Sequence, residues 1–270
     1  DVGLYTSIVL DTNDRPHISY HDKKNGNLKY IYRGGSGWVT PVIVDSVGDV
    51  GQYSSIALAN GNASRPFISY FNATLSDLKY AYISDGAWVK ETIAADEFLG
   101  RFTSLALDGG SPRISFYDSG RGTLKYAIRT GARSWTIQTV DDSADVGQSS
   151  SLAMDANGNP HISYYDDIQD NLKYARTAWS ITNVDITGSV GLYSSLKLDA
   201  AGNPHISYYD AKNDAIKYAR WTGSNWHIQT VDNTIQSAGI EGMNTSLVLD
   251  SQDRPRIAYF DGKANDLKVV

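Results

Sequence analysis

One pattern returns six times along the 270 residues, at intervals of 44 to 51, and a repeat of that length constrains the fold more than any other feature of the chain. In its fullest form it reads S-[LI]-x-L-D, a turn leading to Pro, I-S-Y-Y-D, a second turn, L-K-Y-A, then a Trp segment ending near T-V-D, followed by V-G. The opening Ser falls at Ser7, Ser55, Ser104, Ser151, Ser195 and Ser246. The Pro recurs at Pro16, Pro66, Pro112, Pro160, Pro204 and Pro255, and the Lys at Lys29, Lys79, Lys125, Lys173, Lys217 and Lys268. A Trp follows the Lys by six to ten residues in the first five units (Trp38, Trp88, Trp135, Trp179, Trp226). The repeats lie near 4–52, 53–101, 102–148, 149–192, 193–243 and 244–270, and we expect them to form a single domain over 1–270.

Each unit reads as four short strands. The first, as in Ser55-Ile56-Ala57-Leu58, alternates large and small residues, so Ile56 and Leu58 share one face. The second is typified by Pro160 to Tyr165, the third by Leu172 to Ala175, and the fourth begins at the Trp. Between the first two, Asp155-Ala156-Asn157-Gly158-Asn159-Pro160 concentrates residues that tolerate positive φ, bond their own backbone or fix φ. The acidic residues divide into 27 Asp and 3 Glu, a bias toward the residue of turns over the helix former. The fold class expected is therefore all-β. Four strands per unit at this period indicate a six-bladed β-propeller of four-stranded antiparallel blades. A solenoid, the rival, calls for capping repeats, and the outer units are as regular as the inner ones. Small residues on one face of strand one (Ser55 with Ala57, Ser104 with Ala106, Ser151 with Ala153) fit it to the crowded centre, leaving the Trp strand outermost to cover the gap between blades. The sixth unit stops at its third strand, so its blade is expected to lack the outer one. That strand is supplied by sequence upstream of Asp1, by a partner, or by nothing; in the last case Leu267-Lys268-Val269-Val270 is an exposed edge open to self-association.

These repeats resemble the lectin-like and sialidase-like β-propellers built from tandem blades, over the whole chain and at the level of architecture. The sialidase Asp-box, S-x-D-x-G-x-T-W, is not met, because the turns Asp155 to Pro160 and Asp199 to Pro204 lead to Pro-His-Ile. The arginine cluster of sialidases has no obvious counterpart either. The resemblance implies a propeller fold and, as an expectation, a carbohydrate ligand.

Two recurring groups on one face of the blades carry that expectation. A Gly recurs at Gly3, Gly51, Gly100, Gly147, Gly191 and Gly242, as a backbone demand would require. Two positions later stand Tyr5, Tyr53, Phe102 and Tyr193, replaced by Ser149 and Asn244 in the other units. We expect these rings just before the innermost strand, where they either plug the gap between blades or stack on a sugar face. The acid after the paired aromatics recurs at Asp22, Asp118, Asp166, Asp210 and Asp261, with Asn72 in unit two, seven residues before the Lys each time. It is either a turn-fixing partner of that Lys or an acceptor for sugar hydroxyls. In the second case Asp22, Asp118, Asp166 and Asp210 are ligand-binding and sixfold recurrence gives multivalency.

Other chemistries are poorly supported. A formal charge of −6 offers no basic field for nucleic acid. No run of 18 apolar residues spans a bilayer, and Asp1-Val2-Gly3 is unlike a signal peptide, which fits a chain already processed. With no cysteine, thiolate catalysis and Cys-ligated zinc are excluded. Asp141, Asp142 and Asp145, like Asp166, Asp167 and Asp170, do not match a calcium loop, and the five histidines, His17, His21, His161, His205 and His227, lack zinc spacing. Neither metal nor cofactor is expected. His17, His161 and His205 share a repeat position with Phe67, Arg113 and Arg256, so we expect them to cover a strand surface. An enzyme should break the symmetry. The deviations on the candidate face are His21, Glu97, Arg101 and Glu241, of which His21 beside Tyr20 or Tyr5 is a candidate base for a polysaccharide lyase. The reading is a non-catalytic, lectin-like carbohydrate-binding propeller, extracellular or at the cell surface. A structural or adhesive surface module and a lyase or glycosidase-type enzyme are the alternatives.

Overall fold

A computed structural model of the chain describes residues 2–59, 65–95, 98–235 and 244–270. They form an all-β, six-bladed propeller: five blades of four antiparallel strands and a last blade of three, with no α-helix among the described residues. The residues cluster into two compact units, 1–139 and 140–270. The first unit holds blade 1 (Val2–Leu10, Pro16–Asp22, Asn27–Gly34 and an outer strand in two pieces, Gly37–Trp38 and Val42–Asp45) and blade 2 (Val50–Ala59, Arg65–Asn72, Asp77–Ser84, Ala87–Ala94). It also holds blade 3 (Leu99–Asp108, Ser111–Asp118, Thr123–Gly131, Ser134–Asp141), whose last two residues fall in the second unit. The second unit continues with blade 4 (Val146–Met154, Pro160–Asp166, Asn171–Arg176, Ser180–Asp185) and blade 5 (Val190–Leu198, Pro204–Asp210, Ala215–Trp221, Trp226–Asp232). Blade 6 is Thr245–Leu249, Pro255–Asp261 and Asp266–Val269.

Strand one is longer than its sequence signal. The V-G-x-aromatic segment, expected as a loop, lies inside it: Val50 pairs with Asn72 and Gln52 with Phe71, and the register then shifts before Ser55 meets Ser69. The cause is a bulge. Gly51 has φ +104° and Tyr53 φ +52°, and the same pair of left-handed residues recurs as Gly100 and Phe102, Gly147 and Ser149, Gly191 and Tyr193. Glycine is needed for a second reason. A Cβ on Gly51 would lie 2.9 Å from Leu28 Cα of the preceding blade, and one on Gly100 2.8 Å from Leu78 Cα.

The bulge turns a carbonyl toward the next blade, where the repeated hydroxyls take it. Ser54 donates to the Tyr5 carbonyl at 2.8 Å, Thr103 to that of Tyr53 at 3.0 Å, Ser194 to that of Ser149 at 2.9 Å and Thr245 to that of Tyr193 at 3.0 Å. Two residues further on, the Ile56 amide donates to Ser7 Oγ (3.1 Å) and the Leu196 amide to Ser151 Oγ (3.0 Å). These carbonyls, hydroxyls and amides thus find partners across the seam.

The cores lie between blades. Leu28, Tyr30 and Val44 pack with Val50, Ile56, Ile68 and Tyr70, and the second unit repeats this with Leu172, Tyr174 and Val184 against Val190, Leu196, Ile206 and Tyr208. Trp88 meets Tyr30 edge-on at 5.5 Å between centroids, as Trp135 meets Tyr80 (5.3 Å) and Trp226 meets Tyr174 (5.3 Å). The outer Trp therefore does cover the neighbouring blade, worth about 0.5–1.5 kcal/mol per ring pair beyond area burial.

The T-V-D aspartate acts across the seam. Asp185 Oδ2 accepts from Tyr208 Oη (2.7 Å) and Lys217 Nζ (2.6 Å); Asp141 likewise takes Tyr164 and Lys173, Asp45 takes Tyr70 and Lys79, and Asp232 takes Tyr259 and Lys268. Where blade 2 carries Ala94 in place of this Asp, blade 3 carries Phe116 in place of the Tyr, so both ends of the bond change together. Glu91 holds that seam instead, accepting from Arg129 at 2.6 Å and Trp135 Nε1 at 3.0 Å.

His17, His161 and His205, expected to cover a strand surface, do so from the inside. They are buried, with Nδ1 bonded to the hydroxyls of Tyr30, Tyr174 and Tyr218. Burial pushes all three imidazoles below their ordinary pKa despite a nearby aspartate on each.

Candidate functional site

The loops from strand two to strand three and the bulges of strand one share an edge of each blade, and there the candidate residues gather. In the first unit, Tyr5, Tyr53 and Phe102 form a run of rings, with centroids 4.6 Å apart for the first pair and 4.7 Å for the second. Each has an outer companion from strand two of its own blade: His21 at 6.1 Å, Phe71 at 6.3 Å and Tyr117 at 6.3 Å. Tyr5 is 40 % exposed and Tyr53 and Phe102 are half-buried. The strip therefore packs against itself and still presents ring surface. The Arg101 guanidinium sits 5.8 Å from the Phe71 ring, a cation beside the strip. In the second unit, half-buried Tyr193 packs with Tyr209 and Leu247, and Ser149 takes the equivalent place in blade 4.

The aspartates sit differently. Asp22, Asp118, Asp166 and Asp210 are buried. Asp22 accepts from the Asn25 amide (3.3 Å) and side chain (2.9 Å) and pairs with Lys29 Nζ at 2.6 Å. The Lys29 ammonium and the Asn25 bonds bring its carboxyl down to about 2. Asp166 accepts from the Gln169 amide at 2.9 Å and pairs with Lys173 at 2.9 Å, and Asp210 accepts from the Asn213 amide at 3.0 Å with Lys217 at 3.6 Å. Asp118 takes the Arg121 amide at 3.1 Å and lies 4.0 Å from Lys125. These carboxylates organise the turn between strands two and three, and in blades 4 and 5 the Lys seven residues on also reaches the seam aspartate, Lys173 to Asp141 and Lys217 to Asp185.

Among the deviating residues, His21 is buried, and its Nε2 lies 2.8 Å from Asp49 Oδ1, whose other oxygen accepts from Gln52 Nε2 at 2.9 Å. No hydrogen bond reaches its Nδ1 among the described residues. Asp49 escaped the sequence reading; its signal is the D-V-G shared with Asp145. The T-V-D aspartates were legible as recurrences but their role across the seam was not. Glu97 and Glu241 lie outside the described residues. Among the described residues no cluster of three or more His, Cys, Asp or Glu is placed to hold a metal ion, and no helix is long and apolar enough to cross a membrane. The edge strand Asp266–Val269 exposes Leu267 and Val269.

No protein-family model matches the chain, and no curated protein matches it. Its solved fold neighbours are similar at low identity. An ulvan lyase of a polysaccharide lyase family, bound to a -[GlcA(1-4)Rha3S]- ligand, superposes with a TM-score of 0.69 at 13 % identity, covering 96 % of this chain and 78 % of the lyase. The fucose-recognising six-bladed lectin of Aleuria aurantia gives 0.58 at 15 % identity, over 88 % of this chain and 80 % of the lectin. An alpha-L-arabinofuranosidase from Fusarium graminearum gives 0.59 at 13 % identity, over 99 % and 91 %. At such identities the likeness defines a fold class, the six-bladed β-propeller, and no activity.

Proposed function

We propose that the chain is a non-catalytic, lectin-like carbohydrate-binding propeller acting outside the cell or at its surface. Tyr5, Tyr53, Phe102 and Tyr193 stack on sugar rings, and the turns held by Asp22, Asp118, Asp166 and Asp210 shape the flanking surface. One observation carries this reading. The bulge demands a left-handed backbone, which bulky side chains adopt at a cost of about 1–3 kcal/mol, and Ser149 at φ +53° shows that it does not demand a ring. Four blades nevertheless place an aromatic there, part-exposed, and in the first unit Arg101 lies over Phe71 next to the strip. The fold neighbours that recognise fucose or cleave polysaccharide add support from carbohydrate chemistry.

The test replaces rings by the residue blade 4 already uses. On a glycan array the chain binds at least one saccharide, and Tyr5→Ser with Tyr53→Ser weakens that binding at least tenfold while the melting temperature moves by no more than a few degrees. An array blank at high protein concentration, or affinity unchanged in the double variant, contradicts the proposal.

A second reading has its own observation, the His21–Asp49 pair beside Tyr5. An imidazole oriented by a carboxylate is the arrangement of a general base, able to take a proton alpha to the carboxyl group of a uronic acid. Incubation with acidic polysaccharides would then raise the ultraviolet absorbance of unsaturated products, and His21→Ala would abolish the rise. No absorbance change in the wild type eliminates this reading.

A further inference from the structure

We infer that blades 4 and 5 carry a second, single-copy saccharide pocket on the blade edge formed by their strand-one-to-two turns, and that it takes a sugar bearing a carboxylate. The inference does not rest on the strip and uses none of its residues.

The first observation is a local deletion. In blades 1, 2 and 5 the Trp follows the repeated Lys by nine residues and in blade 3 by ten, but Trp179 follows Lys173 by six. The arm joining strands three and four is thereby reduced to one 3₁₀ turn, Thr177–Trp179, with Ala178 and Trp179 both left-handed. Blade 5 keeps the full arm, its third strand running to Trp221. Beside the shortened arm lies a cavity of about 750 Å³, walled by the turns Asp155 to Asn159 and Asp199 to Asn203 and by the ends of both third strands. That volume is in the range of small-molecule sites and admits one or two sugar rings.

The second observation is what lines it. Trp221 is the one Trp of six outside the repeat pattern; the equivalent positions hold Arg33, Ile83, Arg129 and Thr177. Its half-buried indole is braced edge-on by Trp226, with centroids 5.5 Å apart, and forms part of the wall. A braced indole is a platform for the apolar face of a sugar. Opposite it, the carboxylates of the turns are already committed. Asp155 Oδ1 accepts from the Asn157 and Asn159 amides and Oδ2 from Asn159 Nδ2, and Asp199 repeats the pattern with Asn203. His161, also in the wall, has its pKa lowered by burial, which favours the neutral ring. Arg176 differs from these: it is exposed and lines the cavity, and its guanidinium forms no ion pair or hydrogen bond among the described residues. A guanidinium with its fork of donors unclaimed, next to an aromatic platform, suits a planar carboxylate held bidentately. A uronic acid supplies both halves.

The probes are methyl glucuronide, digalacturonate and neutral methyl glucoside, titrated into the full chain and followed by tryptophan fluorescence and calorimetry. The expected result is saturable binding of an acidic probe at least tenfold tighter than that of the glucoside. Trp221→Thr, which installs the blade 4 residue, abolishes it. Arg176→Gln reduces the acidic probe to the level of the neutral one, and Tyr5→Ser with Tyr53→Ser leaves it unchanged. Each variant is checked for an unaltered melting temperature. No saturable binding of either acidic probe up to millimolar concentration, equal affinity for acidic and neutral probes, or undiminished binding by folded Trp221→Thr overturns the inference.

Discussion

Asp185 meets two donors from the neighbouring blade, Tyr208 and Lys217, in a site from which water is nearly excluded. Burial alone would raise its carboxyl, but the Lys217, Tyr208 and Thr187 bonds together hold it below the ordinary carboxylate range. Removing one partner strands the others, so Asp185→Ala is expected to cost about 3–5 kcal/mol of unfolding free energy in urea titrations. The seam between blades 2 and 3 suggests the compensation. In the Asp185→Ala background, Tyr208→Phe should cost less than it does alone, with a coupling of about 1–2 kcal/mol in the double-mutant cycle. Gly100→Ala is expected to destabilise by about 2–3 kcal/mol, since the new Cβ meets Leu78 backbone and the φ is left-handed. The recurrence of Gly100 and its equivalents was legible as a backbone demand. The role of Asp185 was not, because its partners lie in the next repeat, across a distance that spacing within one repeat does not encode.

At the scale of the element, strand existence and order followed from period-two alternation and turn residues, as in Ser55 to Leu58 and Pro160 to Tyr165. The true start of strand one did not. Val50-Gly51-Gln52-Tyr53 contains a Gly and a polar residue that read as loop, and only pairing with strand two reveals the bulge. The recurring aromatics were therefore expected just before strand one, whereas Tyr53 and its equivalents lie inside it, at the bulge. The cavity beside blade 4 was hidden for a different reason: the short Lys173–Trp179 spacing was visible, but the space it opens belongs to the adjoining blade. Outer strands should differ in stability. Blade 1 breaks its own between Trp38 and Val42, around Pro41, whereas blade 2 runs unbroken from Ala87 to Ala94. Native-state hydrogen exchange is expected to show the short Val42–Asp45 piece, at Ile43, exchanging faster than Val89 and Glu91, and equal rates would contradict the broken pairing.

For the whole molecule, acid is the predicted weakness, and it acts in two steps. His17, His161 and His205 have folded pKa values depressed below the ordinary 6.5, so on acidification the unfolded chain takes up protons first. Their contribution is complete above about pH 7 and is lost as pH falls below 6.5 toward the folded values. Asp22 and Asp250 titrate at about 2 when folded against an ordinary 3.8, so theirs is lost between about pH 4 and 2. Melting temperature should be level above pH 7, decline below 6.5 and decline again below 4. His161→Phe with His205→Phe, copying Phe67 of blade 2, should flatten the first decline. The six-bladed architecture was legible in full from the repeat, because every blade restates the same pattern. The proposed saccharide sites were legible only as a set of residue types, because each is made of surface that no single repeat contains. The decisive measurement is a nitrogen-15 chemical-shift titration with the tightest saccharide from the array. The account predicts perturbations concentrated at the Tyr5, Tyr53, Phe102 and Tyr193 amides and their flanking turns. Saturation of the protein with those four amides unmoved would contradict it.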